Sequence, residues 1–213
     1  MLRFLTSGES HGKCLIAILE GMVAGLELKP DDINGELSRR QEGYGRGGRM
    51  TIEKDAVEIL SGVRAHRTLG GPIALLVPNK DFKINELPAV KRPRPGHADL
   101  VGVLKYGRED ARDILERASA RETTVRVAVG AVCRKFLSQF GVDLVSHVIR
   151  IGEVTADTAD MDFDQIKKEA RHSPMHCADK AAEKKMMARV DEARISKDTI
   201  GGIFEVVVQG LPV

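Results

Sequence analysis

RRQEGYGRGGRM, residues 39–50, places four glycines between positions 43 and 48. That density breaks any helix or strand. It also has the look of a glycine-rich phosphate cradle of the dinucleotide-binding kind. Such a cradle must follow a strand and open a helix, and these glycines do neither. With that reading removed, the order of elements decides the fold class. Strands and helices are mixed, without regular βαβ alternation and without an internal repeat, which predicts an α+β layered fold rather than a Rossmann sheet.

Working outward, Pro30-Asp31-Asp32 opens a short helix that runs to about Arg40, because proline and acids suit a first helical turn. Before it, Leu2–Leu5 and Cys14–Met22 read as strands around the loop SGESHG, residues 7–12. After the glycines, Val57–Val63 and Pro72–Val77 read as buried strands. Residues 79–107 are expected to be irregular, with RPRPGHAD at their centre; irregular stretches of that length are usually functional or disordered.

The clearest helix opens at Ser119. Ser119 and Glu122 have the spacing of a capping box, and Val125, Ala128, Val129, Val132, Phe136 and Phe140 recur at helical spacing behind them. Leu144–Val154 reads as a strand interrupted by polar Ser146 and His147. Two charged helices, about Phe163–His172 and Asp179–Ala193, and a last strand, Ile203–Val208, complete the order.

A chain of 213 residues suits one large domain or two small ones. With 42% hydrophobic and 30% charged residues, its composition is that of a globular protein. A net charge of +2 gives no global argument for nucleic acid or membrane, so the 33 basic residues must speak through local clusters. Aromatics at 4%, with no Trp, leave few stacking platforms for single strands. Cys14, Cys133 and Cys177 are odd in number, which argues against a disulfide framework and for a reducing compartment. The polar run Thr6–His11 interrupts any signal-peptide core, and no stretch approaches the roughly 20 apolar residues of a membrane span. The expectation is a cytosolic protein.

The first chemical candidate is the cluster Arg39, Arg40, Arg46 and Arg49. Guanidinium forks match carboxylate and phosphate, and neighbouring glycines allow close backbone approach. A solvated basic loop is the plain alternative, and RNA binding lacks aromatics beyond Tyr44. The second is the start of the long helix. There Arg117, Arg121 and the Ser119 hydroxyl can meet an anion at free N–H groups; alternatively Ser119 only caps while Glu116 and Glu122 pair with the arginines. The third is His97, with Asp99 two residues on to orient its ring. His11, set between Gly8 and Gly12, can be a catalytic acid, a metal ligand or a turn residue. Two loop histidines beside two arginine clusters suggest acid–base work on a small anionic substrate. His172, His176 and Cys177 have a zinc-like spacing, but Ser173-Pro174 turns the chain between them and no second cysteine pair exists, so no metal is expected. His66 and His147 show no partners in sequence and read as structural or exposed.

Several long segments, in order, then carry a family resemblance: GESHG (8–12), RRQEGYGRGGRMTIEKD (39–55), EILSGVR (58–64), RPRPGHADLVGVLKYG (92–107) and ERASARETTVRVAVGAV (116–132). On these the chain resembles the N-terminal part of the chorismate synthase family, across essentially its whole length. The resemblance implies a single domain over residues 1–213, with a β-α-β sandwich, in a homotetramer when full length. It implies a lyase of the shikimate pathway that converts 5-enolpyruvylshikimate 3-phosphate to chorismate and phosphate by 1,4-anti elimination. Reduced FMN is the implied cofactor, with NADPH as an indirect reductant. By motif, His11 would protonate the leaving phosphate, His97 would stand by the flavin, and Arg40 and Arg46 would meet substrate anions or NADP. Arg117, Ala118 and Ser119 would contact the flavin, although the family often has serine where Ala118 stands. Family members continue beyond Val213 with further flavin contacts, so the expectation is a fragment of a longer enzyme. The alternative is a chain that only binds anions or nucleotides.

Overall fold

Strand β2 (Cys14–Glu20) buries Leu15, Ala17 and Leu19 on one face, and β7 (Ile73–Pro78) buries Ile73, Leu75 and Val77. Antiparallel pairing sets these residues opposite one another, Leu15 against Val77, Ala17 against Leu75 and Leu19 against Ile73. Such a register presents one continuous apolar face, each large side chain contributing about 1.5–3 kcal/mol on burial. The computed structural model describes residues 1–45 and 52–212. Arg46 and Arg49 therefore lie outside the described residues.

Two compact units result, residues 1–40 with 52–135 and residues 41–45 with 136–212. In the first, β1 (Arg3–Gly8), β2, β7 and β4 (Glu58–Ser61) form one sheet in that order. A second sheet joins β3 (Ala24–Glu27), β6 (Arg67–Leu69) and β5 (Val63–Arg64). Every described strand pairing is antiparallel, as the α+β reading requires. The expected strand Val57–Val63 is broken at Gly62, whose φ of +83° and close approach to the Pro72 carbonyl admit only glycine. β5 and β6 meet through Ala65 and His66, both at positive φ, in a two-residue turn that carries no glycine to signal it.

Helices α1 (Pro30–Gln41) and α4 (Thr123–Ser138) run antiparallel. Arg40 at the end of α1 bonds Thr123 at the start of α4, while Asp32 and Glu36 pair with Lys135 and Arg134. They contribute buried Ile33, Leu37, Val125, Ala128 and Val132 to the interior of this unit. The apolar stripe of α4 stops short of the expected Phe140: the helix ends at Ser138, and Phe140 is exposed, edge-on to Phe136.

Residues 79–107 are not wholly irregular. Asp99–Tyr106 forms α2, and Arg112–Arg117 forms α3. Gly102 explains why α2 escaped the sequence: it weakens the helix locally but sits against Ile114 of α3, where a Cβ would come within 2.2 Å of Cγ2. Packing, not propensity, holds the pair.

In the second unit, β8 (Asp143–Ile151) pairs with β10 (Gly202–Gln209) and β9 (Val154–Thr155). Helix α5 (Phe163–His172) starts at a capping box of Asp162 and Gln165, and α6 (Lys180–Ser196) at Asp179. Met175, Cys177, Ala182 and Met186 form its core, with Tyr44 packed against them. His147, expected to interrupt the strand, is instead buried within β8, with Nε2 2.7 Å from Glu205 on β10.

Candidate active site

The loop between β1 and β2 begins at Gly8, whose φ is +111° and whose Cβ would lie 2.4 Å from the Cys14 carbonyl oxygen. Only glycine allows the chain to turn there. The buried Asn79 clamps the loop, its Nδ2 donating to the carbonyls of Glu9 (3.1 Å) and Gly12 (2.8 Å). From the other side, the Ser10 amide donates to the Glu116 carbonyl, and the amides of Lys83 and Ile84 donate to the His11 carbonyl. Arg117 reaches back to the carbonyls of Thr6 and Gly8.

His11 thus sits on a pinned loop. Its Nδ1 lies 2.6 Å from Glu116 Oε2 on α3, and its Nε2 lies 3.6 Å from Asp81 Oδ2. Glu116 is fully buried and shares its other oxygen with Arg112 Nη1 at 3.0 Å. Lys83 neutralises Asp81 at 2.9 Å. A partly buried imidazole with a carboxylate near each ring nitrogen has an acceptor for either N–H.

His97 lies in the turn before α2. Arg94 grips the buried Asp99 with Nε at 2.9 Å, Nη2 at 3.1 Å and its backbone amide at 3.0 Å. His97 Nδ1 lies 3.3 Å from Asp99 Oδ1 and 3.1 Å from Arg94 Nη2. The expected pairing of His97 with Asp99 is present, with Arg94 as a third member. The hydrogen bond from Arg94 lowers the Asp99 carboxyl to about 2. The same bond raises Arg94, and the charge of Glu116 adds to that shift. Glu116 and Arg94 both belong to the first unit.

Arg40 and Arg39 are placed differently. Arg40 donates to the Ala120 carbonyl (2.9 Å) and Thr123 Oγ1 (3.0 Å) and lies 3.5 Å from Asp55, so its side chain is nearly buried. Arg39 pairs with Glu36 at 2.9 Å and keeps a solvent face. Ser119 caps as expected, but it accepts from the Arg121 amide and opens a 3₁₀ turn, Ala120–Glu122, ahead of α4. The box does not close: the Glu122 carboxylate turns to Thr6 Oγ1 and Arg126 instead. Arg121 is buried with Asp55, not aimed at the helix terminus. Beside Arg117 and Ala118 lies an open, largely apolar pocket of about 540 Å³, lined also by Ala98, Val101, Gly102 and Tyr106.

The family model described as chorismate synthase matches residues 2–213. The chain belongs to the chorismate synthase family. It is 52% identical to the chorismate synthase of Bacillus cytotoxicus and 50% identical to that of Bacillus subtilis, each alignment covering 100% of this chain and 59% of the relative. The Listeria welshimeri chorismate synthase is 51% identical over 99% of this chain and 58% of its own length. A solved structure, described as the crystal structure of chorismate synthase, superposes with a TM-score of 0.82 at 42% identity, over 99% of this chain and 59% of that one. The chain thus spans a little under three fifths of the length of these relatives.

In this chorismate synthase family member, the histidines of GESHG and RPRPGHAD and the start of ERASAR all stand in one unit. Among the described residues no group of three or more His, Cys, Asp or Glu side chains could hold a metal ion. His172 Nδ1 is bonded to the Lys168 carbonyl, and Cys177 Sγ donates to the Asp179 carbonyl. His66 is exposed in its hairpin turn. Sequence reasoning missed Glu116 as the partner of His11, along with Arg112, Arg94 and Asn79. Glu116 stood in view only as a partner for arginines, and no local spacing links it to a histidine 105 positions away.

Proposed function

We propose that this chain supplies part of the active site of an FMN-dependent lyase. The reaction converts 5-enolpyruvylshikimate 3-phosphate to chorismate and phosphate by 1,4-anti elimination, a step of aromatic amino-acid biosynthesis. The observation that carries the reading is His11, pinned on its loop between Glu116 and Asp81. As the carbon–oxygen bond to phosphate breaks, charge grows on the leaving group, and a proton from His11 neutralises it. Two substrate carboxylates and a phosphate suit a site rich in guanidinium groups. Arg39, Arg46 and Arg49 are proposed as anion contacts, and Arg40 contributes its charge from a fixed position.

The open, largely apolar pocket beside Arg117 and Ala118 has a volume of about 540 Å³, and its lining residue Ala98 follows His97 directly. Arg117, Ala118 and Ser119 are the residues proposed to hold reduced FMN there, and His97 to stand against it. Bound reduced FMN supplies transient electron density to the substrate ring, with no net oxidation. The indirect reductant is NADPH, the assembly a homotetramer, the compartment the cytoplasm, and residues 1–213 part of one domain; no helix among the described residues is long and apolar enough to cross a membrane.

Turnover of 5-enolpyruvylshikimate 3-phosphate with dithionite-reduced FMN tests the proposal. In an intact enzyme that carries these residues, phosphate release is expected, with His11→Ala and His97→Ala each losing about 10²-fold or more in rate. Folded protein that binds the substrate or FMN without releasing phosphate would favour the binding-only reading for this chain. Near-wild-type turnover in either variant removes the role given to that histidine.

A further inference from the structure

This inference rests on the acid role proposed for His11. We infer that Glu116 is the positioning residue that fixes the tautomer and plane of the His11 imidazole, so that Nδ1 retains its proton and Nε2 is the nitrogen that gives one up. One carboxylate oxygen does two things. Glu116 Oε2 lies 2.6 Å from Nδ1 and also accepts the His11 backbone amide at 3.2 Å, so the ring and its main chain are held by the same atom. An ionised carboxylate only accepts, and this one is fully buried, with no water to compete for its lone pairs.

Arg112 keeps Glu116 in that role. Its Nη1 lies 3.0 Å from Glu116 Oε1, one helical turn away on α3, while its Nε is anchored on the Pro88 carbonyl at 2.6 Å. The guanidinium sets an opposite charge against the carboxylate inside the unit. Removing either partner would strand a buried charge. The backbone completes the arrangement, since the Glu116 carbonyl accepts the Ser10 amide at 2.9 Å. Residues 10 and 11 are thereby referenced to a single residue of α3.

The opposite nitrogen sees a different neighbourhood. Nε2 is 3.6 Å from Asp81, whose carboxylate is already paired with Lys83 at 2.9 Å, and Asp81 is more exposed than Glu116. The tight contact therefore holds Nδ1–H, while Nε2 faces the longer contact with the more exposed carboxylate. In the elimination, the Nε2 proton passes to a departing phosphate oxygen, and the electron pair of the broken carbon–oxygen bond leaves with the phosphate. His11 ends neutral, its Nδ1–H still donating to Glu116. Which ring nitrogen carries the proton is set by the hydrogen bond the other makes.

Long-range ¹H–¹⁵N spectra of the ¹⁵N-histidine-labelled protein at alkaline pH read this directly, with His11 assigned by its loss in His11→Asn. The expected result is Nδ1 at the protonated position and Nε2 at the unprotonated one. The reverse pattern in the wild-type protein overturns the inference without any variant having to fold. In Glu116→Gln the preference is expected to collapse and kcat to fall ~10- to 100-fold, the range for groups that orient another residue, with KM changed less than about threefold. Glu116→Asp is expected to recover part of both. A Glu116→Gln protein that keeps the Nδ1–H form, or keeps full kcat once the form is lost, also overturns it. Because the spectrum needs no turnover, a wild-type protein with the Nδ1–H form but no lyase activity counts against the acid reading alone.

Discussion

Arg121 and Asp55 form an ion pair sealed inside the first unit, Nη1 to Oδ1 at 2.6 Å, with both side chains almost wholly removed from solvent. Glu53 lies 3.7 Å away on the same guanidinium, and Arg121 Nε donates to Asn79 Oδ1 at 2.8 Å. Asn79 in turn holds the Glu9 and Gly12 carbonyls. The buried charge is thus wired to the loop that presents His11. Replacing Arg121 with Met is expected to destabilise the protein by about 3–5 kcal/mol, because two buried carboxylates lose a partner. Asn79→Ala should cost about 1–3 kcal/mol. Urea denaturation of the two single variants and the double should show a coupling of about 0.5–3 kcal/mol; strict additivity would mean that the ion pair and the clamp act separately.

Gly8→Ala should damage the same loop from its other end. The backbone there is at positive φ and the new methyl would meet the Cys14 carbonyl and Leu15 Cα. Strain of about 1–3 kcal/mol is expected from the backbone alone. Faster hydrogen exchange at the Ser10 and Gly12 amides should accompany the loss in thermal stability. Unchanged exchange would place the strain elsewhere.

The contact of α2 with α3 predicts a different defect. Gly102→Ala sets a methyl against Ile114, and overpacking of this kind costs about 1–3 kcal/mol. The pocket beside Arg117 is lined by both Gly102 and Ile114, so its shape changes too. Weaker FMN binding in Gly102→Ala, with Gly107→Ala as a control outside the pocket, is the expected result. Equal affinity in the two would show that flavin does not use this pocket.

Asp99 predicts a pH dependence. Its carboxyl is held at about 2, below the ordinary value of 3.8, chiefly by the hydrogen bond from Arg94. The folded protein therefore binds that proton less tightly than the unfolded chain does. The stabilisation is fully present above pH 4 and is lost as the pH falls from there through about 2. Urea midpoints measured across this window should fall more steeply for the wild type than for Asp99→Asn. Identical slopes would remove Asp99 from the acid response.

Much of this was legible in residues close to one another along the chain. The apolar runs within Cys14–Met22 and Pro72–Val77, the acids at the start of α1, the cap at Ser119 and the pairing of His97 with Asp99 all depend on spacings of a few positions. Backbone geometry repeats over such distances, and so does its trace in sequence. The α+β class followed from the same local signals. The loop histidines were likewise visible as polar residues among glycines.

What the tertiary structure decided was partnership. Glu116 meets His11 across 105 positions, Asn79 clamps Gly12 across 67, and Arg121 finds Asp55 across 66. It also made Arg121, open in the sequence between meeting an anion and pairing with Glu116 or Glu122, a buried ion against Asp55, formed α2 around a glycine that weakens it, and bent Ala65-His66 without a glycine at all. No periodicity encodes these choices, because each is settled by which surfaces are packed together and by the need to satisfy every charge taken out of water.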